Sequence, residues 1–247
     1  MVSPGLGIVT CDVVRSEMER AINGRDIPMK VMDYALHATP KEMPGKLNDA
    51  VKEMEKRGCS RLALGYGLCS NGTVGVKADG ELVVPRCHDC ISMLLGSPAR
   101  YMETFNKYPG TFFLSDGWFR NYGDPLTTVE KRYAPKMGEK KAMKGMSLEI
   151  ANYKYICLIN NGVGDIKLLR ERAKENCLVF KKEYLELDAD LSYFEALLDG
   201  PHVESDFLVL NPGEEVQDHR FYQPISPTKD IQTQGVIEAS QIKLSAN

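Results

Sequence analysis

Short runs rich in Val, Ile and Leu alternate along this chain with segments whose apolar residues recur every three or four positions. The two periods predict strands and helices in turn. A strand over 8–10 leads into a helix with Val14, Met18, Ala21 and Ile22 on one face, Ser16 and Glu19 spaced as a capping box, and Asn23-Gly24 as its stop. A strand over 29–34 precedes a strongly periodic helix with Leu47, Ala50, Val51 and Met54 inward, Glu53 four residues before Arg57, and Gly58 at its end. Strands over 61–64 and 82–85 follow. Then come a helix from about His88, another from Ser97-Pro98 with Tyr101, Met102 and Phe105 inward, and a strand over 111–114. Residues 124–152 read as helical. The plan then recurs: a strand over 155–159, a helix capped by Asp165 with Ile166, Leu169 and Ala173 on one face, and a strand over 178–180. A helix from Asp190 or Ser192, carrying Phe194, Leu197 and Leu198, ends at Gly200, and a last strand covers 207–210.

Such alternation predicts an α/β fold: a mostly parallel, Rossmann-like sheet with helices on both faces. Residues 1–212 read as a single α/β domain. A finer expectation is two similar βαβαβ lobes, 1–120 and 150–212, joined by a helical connection; the halves share a plan and not residues. From 213 to 247 the chain is polar and aperiodic, a tail that either wraps a lobe or partner or stays disordered.

Three of the apolar runs end in cysteine-bearing turns: GIVTCD with Cys11, LALGYGLCS with Cys69, and LVVPRCHDC with Cys87, His88 and Cys90. Ligands of open α/β sheets sit outside the carboxyl ends of the strands. If these strands are neighbours, thiols from distant parts of the sequence converge there, and a metal centre is the economical explanation. Cys87-His88-Asp89-Cys90 has the spacing of two zinc ligands or of a redox dithiol, and a helix start there would favour thiolate. Arg86 can orient a carboxylate, His88 can ligate, shuttle a proton or cap the helix, and Asp89 can orient His88. Gly65, Gly67, Asn71 and Gly72 surround Cys69 in a turn that is neither a Walker loop nor GxGxxG. Cys69 and Cys11, each taken alone, read equally as buried thiols. Glu17 is explained as an acid in a first helical turn. His37 and Trp118 fall at the same edge by topology, with a core plug the competing reading of Trp118. Asn160-Asn161-Gly162 reads as an anion-binding turn or an ordinary one, and Cys59, Cys157 and Cys177 as packed thiols.

Composition narrows the function classes. With 247 residues, 43% hydrophobic and 26% charged, the chain can bury a substantial core. Its net charge of −3 and scattered Lys and Arg give no footprint for nucleic acid; the densest basic stretch, 136–144, reads as a solvated helix face. No basic n-region precedes an apolar core near the start, and no run approaches the ~18 apolar residues of a membrane span. Seven cysteines suit thiols or metal ligation in a cytoplasmic protein rather than a disulfide framework.

The segments CDVVRSEME, LGYGLCSNGTVGV, PRCHDCISMLLGS, PGTFFLSDGWF and LINNGVGD together resemble the family known as domain of unknown function 1638. Its members occur largely in anaerobic archaea and bacteria, often beside genes for corrinoid-dependent methyltransferases. The resemblance carries Cys11, Glu17, Cys69, His88, Asp89 and Cys90, leaves Cys87 out of the essential set, and ends before the tail. It implies one-carbon metabolism and a corrinoid protein or methyltransferase as partner. The leading expectation is a metal-dependent enzyme acting on a small molecule, with Cys11, Cys69 and Cys90 holding zinc or a [4Fe–4S] cluster that keeps an open position. One alternative is a corrinoid or small-ligand carrier without catalysis, although the Asp-x-His-x-x-Gly carrier pattern is missing at His88. Others are an iron–sulfur lyase of the dehydratase or quinolinate-synthase kind, and a metal-free enzyme in which His88 activates Cys69 or Cys90. A homo-oligomer is compatible with each.

Overall fold

The computed structural model describes residues 5–222 and the backbone of a strand at 233–237. In chain order the elements are β1 (Leu6–Cys11), a 3-10 turn (Asp12–Val14), α1 (Arg15–Ile22), β2 (Met29–Met32), a 3-10 turn (Tyr34–Ala38), α2 (Met43–Lys56), β3 (Arg61–Gly65), β4 (Glu81–Pro85), α3 (Cys90–Leu94), α4 (Pro98–Lys107), β5 (Thr111–Leu114) and α5 (Asp116–Arg120). Then follow α6 (Pro125–Thr128), a π-helical turn (Val129–Tyr133), α7 (Ala134–Met137), α8 (Glu139–Glu149), β6 (Tyr155–Asn160), α9 (Ile166–Phe180), β7 (Glu183–Asp188), α10 (Ser192–Asp199), β8 (Phe207–Leu210), a 3-10 turn (Asp218–Phe221) and β9 (Thr233–Ile237). Among the described residues no helix is long and apolar enough to cross a membrane.

The chain forms two compact units, Met1–Tyr101 with Asp190–Lys229, and Met102–Ala189 with Asp230–Asn247. These boundaries differ from lobes at 1–120 and 150–212. The first unit holds a five-stranded sheet in the order β2-β1-β3-β4-β8. β1 pairs in parallel with β2 and β3, and β3 with β4, while β8 runs antiparallel to β4. The inner strands are buried along most of their length, every residue of LGIVTC included, while the edge strand β2, which carries Lys30, is half-buried. The chain leaves β1 in one direction to reach β2 and returns past it to reach β3. Right-handed crossovers therefore put α1 and α2 on opposite faces. α2 buries Met43, Leu47, Ala50, Val51 and Met54, the face its periodicity predicts, and Glu53 accepts a 2.9 Å hydrogen bond from Arg57. No Ser16 capping box forms at the start of α1: the Asp12–Val14 turn puts Val14 at the N-cap without a side-chain cap.

The second unit holds the order β5-β6-β7-β9, parallel except for β9, which runs antiparallel to β7. Both units are thus mixed α/β with mostly parallel strands. The strand expected over 178–180 is instead the last turn of α9. Leu169, Ala173, Cys177 and Phe180 keep one helical face buried until Lys181 turns left-handed at φ 55°. β7 lies further on, hidden in the pattern by Glu183, Glu186 and Asp188. The expected tail is described in part: Gly213 N–H donates to the Ala78 carbonyl and Val216 N–H to Val76, which ties 213–216 to the first unit. Residues 223–232 and 238–247 lie outside the described residues.

Glu186 sets the acid response of the second unit. It is buried on β7 and accepts from Arg170 Nε and Nη2 at 2.7 and 2.6 Å, from Tyr184 Oη at 2.7 Å and from Asn160 Nδ2 at 3.0 Å. Burial pushes this carboxyl up, but Arg170 and the other donors outweigh it and leave it below the usual carboxylate value. A folded pKa below the unfolded one gives stability that is present above the unfolded value, ~4.3, and lost as pH falls through the folded one. In melts between pH 6 and 3, Glu186→Gln is expected to lie below wild type at pH 6 and to converge on it in acid. Parallel curves would refute this.

Candidate functional site

Strand order reverses direction between β1 and β3, and in open α/β sheets such a switch point, at the carboxyl ends of the strands, is where ligands bind. Cys11 is the last residue of β1 and faces this end of the sheet, with Thr10 in register with Gly65 of β3. β3 continues as Tyr66-Gly67-Leu68-Cys69, and β4 as Arg86-Cys87-His88-Asp89. Two hydrogen bonds zip these loops together, Leu68 N–H to the Cys87 carbonyl at 2.8 Å and Cys69 N–H to the His88 carbonyl at 2.9 Å. Gly67 lets them close: a β-carbon there would lie 2.6 Å from the Cys87 oxygen and 2.9 Å from its sulfur.

Cys69, Ser70 and Asn71 are left-handed in succession, with φ of 48°, 56° and 65°. Each such non-glycine residue costs about 1–3 kcal/mol and persists when its surroundings over-determine it. Here Gly72 N–H donates to the Cys69 carbonyl at 3.0 Å, Val74 N–H to Asn71 at 3.2 Å, and Thr73 Oγ1 to Gly67 at 3.1 Å. Asn71 is therefore part of the turn that aims Cys69, with its side chain exposed, and Gly72 packs against Met43 of α2.

The imidazole in contact with a thiol is that of His37. Asp33 caps the Tyr34–Ala38 turn by accepting from Ala35 N–H at 2.8 Å, and this turn brings His37 Nε2 to 3.4 Å from Cys11 Sγ. The His37 ring lies 6.0 Å from that of Tyr66. His37 is exposed on its outer side, and desolvation of the side against the sheet lowers its pKa, against the pull of the Asp89 carboxylate. His88 is exposed, with its ring 5.5 Å from Tyr222. Asp89 caps α3 by accepting from Ile91 N–H at 2.9 Å, and burial raises its carboxyl pKa.

Cys11, Cys69, Cys87 and Cys90 are all buried and electrostatically coupled across this edge. Burial pushes Cys11 up to about 11 and Cys69 to about 12, with the Cys11–Cys69 coupling adding to the latter. Cys90 goes well up for the same reason, so the expected thiolate at a helix start is not what this site holds. Five-residue α3 offers too small a dipole to offset desolvation. These groups are neutral thiols in the metal-free protein. Among the described residues no three His, Cys, Asp or Glu side chains are already grouped to hold a metal ion.

Arg86 is 6% exposed and its guanidinium is engaged elsewhere: Nε donates to the Arg220 carbonyl and Nη1 to the Glu204 carbonyl, both at 2.7 Å. Glu17 is fully buried in the first turn of α1. Gly65 packs on Thr10. Trp118 belongs to the second unit, where it packs on a cluster that includes Leu114, Ile156 and Leu169. Cys157 and Cys177 are buried in that same unit, and Cys59 packs beside Gly7 in the first. Sequence reasoning missed Tyr66 as a member of the site, although its place between two glycines at the end of β3 is a readable signal.

The family described as Protein of unknown function (DUF1638) matches residues 31–198, which is 168 of the 247 residues. The chain belongs to the DUF1638 family. That match takes in His37, Tyr66, Cys69 and the Arg86–Cys90 turn, while Cys11 and Glu17 precede it. No curated protein and no solved structure matches this DUF1638 chain.

Proposed function

We propose that the β1–β3–β4 edge of the first unit is a thiol-ligated metal site of a small-molecule transferase, with Cys11, Cys69 and Cys90 as ligands and His37 beside them. One observation carries the reading, the 3.4 Å contact between Cys11 Sγ and His37 Nε2 at an edge where Cys69 and Cys90 are electrostatically coupled to Cys11. Two ligands on one tetrahedral zinc, at metal distances of about 2.3 and 2.05 Å, sit about 3.5 Å apart. Thiols with an imidazole are a zinc donor set and suit a single ion better than an all-cysteine cluster. The fit is partial, because a third donor must rotate inward on loading; the strained turn at Cys69 is the segment available to do so. Zinc there would hold a substrate thiol as thiolate. The Rossmann-like strand order of the first unit, a cytoplasmic setting and a corrinoid-linked one-carbon reaction belong to the same proposal. The last rests on the family's gene neighbourhood.

Metal content of anaerobically prepared protein tests it. Cys11→Ala, Cys69→Ala and Cys90→Ala are expected to lose the metal, His37→Ala to bind it at least tenfold more weakly, and Cys59→Ala and Cys157→Ala to match wild type. Equal metal in every variant would sink the assignment. A second reading is favoured by the same Cys11–His37 contact: a site in which His37 accepts the Cys11 proton and Cys11 attacks the substrate without a metal. Under it, protein stripped by a chelator keeps its activity and loses it in both Cys11→Ala and His37→Ala.

A further inference from the structure

Tyr66 is 1% exposed, and its hydroxyl has no hydrogen-bond partner among the described residues. It stands at the carboxyl end of β3, with its ring 6.0 Å from the imidazole that touches Cys11. We infer that the Tyr66 hydroxyl donates a hydrogen bond to the molecule taken up at this edge, and that this molecule presents an uncharged carbonyl oxygen there. The inference rests on the β1–β3–β4 edge being the working site and holds whether or not that site carries a metal.

Packing does not explain the hydroxyl, because phenylalanine would fill the same space without burying an unpaired polar group. Buried tyrosine hydroxyls ordinarily find partners, so an orphan at the carboxyl end of a parallel strand marks a place where one arrives. The Cys11 thiol stands close enough for the two groups to shift each other's pKa values, but sulfur is a weak acceptor and the pair does not meet hydrogen-bond distance and angle, so the hydroxyl is left without a good partner. A phenol of ordinary pKa, about 10, is a donor throughout the neutral range. Charge selects the acceptor. The guanidinium of Arg86 is held by two main-chain carbonyls and the acid Asp89 caps the neighbouring helix, so an arriving carboxylate would find its cation occupied and a like charge close by.

The test uses full-length, chelator-treated protein and two neutral alkylating probes of similar size, iodoacetamide with a carbonyl and allyl iodide without one. In each case Cys11 sulfur displaces iodide from carbon, the thiol proton passing to His37 and solvent. Rates at Cys11, read by peptide mass spectrometry, are divided by those of glutathione. Tyr66→Phe is expected to slow iodoacetamide roughly tenfold, the worth of one ordinary hydrogen bond, and to leave allyl iodide unchanged, with a melting temperature equal to or above wild type. An unchanged ratio of the two probes, or equal slowing of both, overturns the inference. Iodoacetate reacting faster than iodoacetamide in wild type, but not in Tyr66→Phe, overturns the choice of a neutral acceptor. Failure of both probes to reach Cys11 in wild type counts against the working site itself, a separate result.

Discussion

Arg86→Ala is expected to destabilise the first unit by about 3 kcal/mol or more, and to do so without a change specific to substrate. A hydrogen bond from a charged donor contributes about 1.5–3 kcal/mol, and this guanidinium makes two to main-chain carbonyls, at Glu204 and Arg220. The residue's own N–H donates to the Asp206 carbonyl at 2.7 Å, and β8 pairs alongside on β4. Arg86 thus anchors the return of the chain, from 204 to 220, to the end of a central strand. Hydrogen exchange should show protection lost over 204–220 in Arg86→Ala while α2 keeps its own. Arg86→Lys is not expected to rescue it, because a single ammonium cannot reach two carbonyls with the planar fork that guanidinium supplies. An Arg86→Ala protein that melts like wild type and fails only in turnover would restore the carboxylate-orienting role that its neighbourhood with His88 suggests.

That contrast shows which parts of the site a sequence exposes. The shared sheet end of Cys11, Cys69 and Cys90 was legible because each ends or follows a short apolar run closed by Gly or Pro, and β1, β3 and β4 are parallel neighbours. Parallel order then fixes which end of the sheet they share. The histidine was not legible in the same way. His88 sits between two cysteines in the sequence, but its side chain packs toward Tyr222. His37 lies 26 residues from Cys11 and reaches it because Asp33 caps a 3-10 turn right after β2. Topology placed it at the edge; the contact depended on turn geometry that its flanking residues do not announce. The anchoring bonds of Arg86 were not legible for a related reason, since its partners are main-chain carbonyls more than a hundred residues away and a carbonyl has no sequence. In the second unit, Leu178 to Phe180 carries both a strand-like apolar run and the last beat of a 3.6 period, and the longer pattern prevails.

The left-handed run Cys69-Ser70-Asn71 links this fold to the candidate site. No glycine occupies those three positions, so the strain is carried by ordinary side chains and must be balanced by the bonds that hold the turn. Those bonds converge on the Gly67–Leu68 segment and the Cys87–His88 segment facing it. Cys69 is therefore positioned by the contact between two loops rather than by a rigid strand or helix.

Gly67→Val should release it. A β-carbon at Gly67 would stand 2.6 Å from the Cys87 carbonyl oxygen and 3.2 Å from the Asp89 nitrogen, against backbone that cannot rotate away. The loops must part by roughly half an ångström or more, and the 2.8 and 2.9 Å bonds that join them are the first to go. Overpacking costs about 1–3 kcal/mol and each lost buried hydrogen bond about 1 more, so a loss of about 3–5 kcal/mol is expected in the first unit. The strained turn then relaxes, and Cys69 is expected to react with a neutral alkylating agent at least tenfold faster than in wild type, as its burial fails. Gly45→Ala is the matched control. It lies inside α2 with open space around the added carbon, and is expected to be neutral or to stabilise by about 0.5–1 kcal/mol. Hydrogen exchange at Leu68 and Cys69 separates the local effect from global unfolding, which a chain of two units does not report as one transition. If Gly67→Val keeps both amides protected and Cys69 slow to react, the loop contact does not hold the thiol, and the convergence of Cys69 with Cys11 must have another cause.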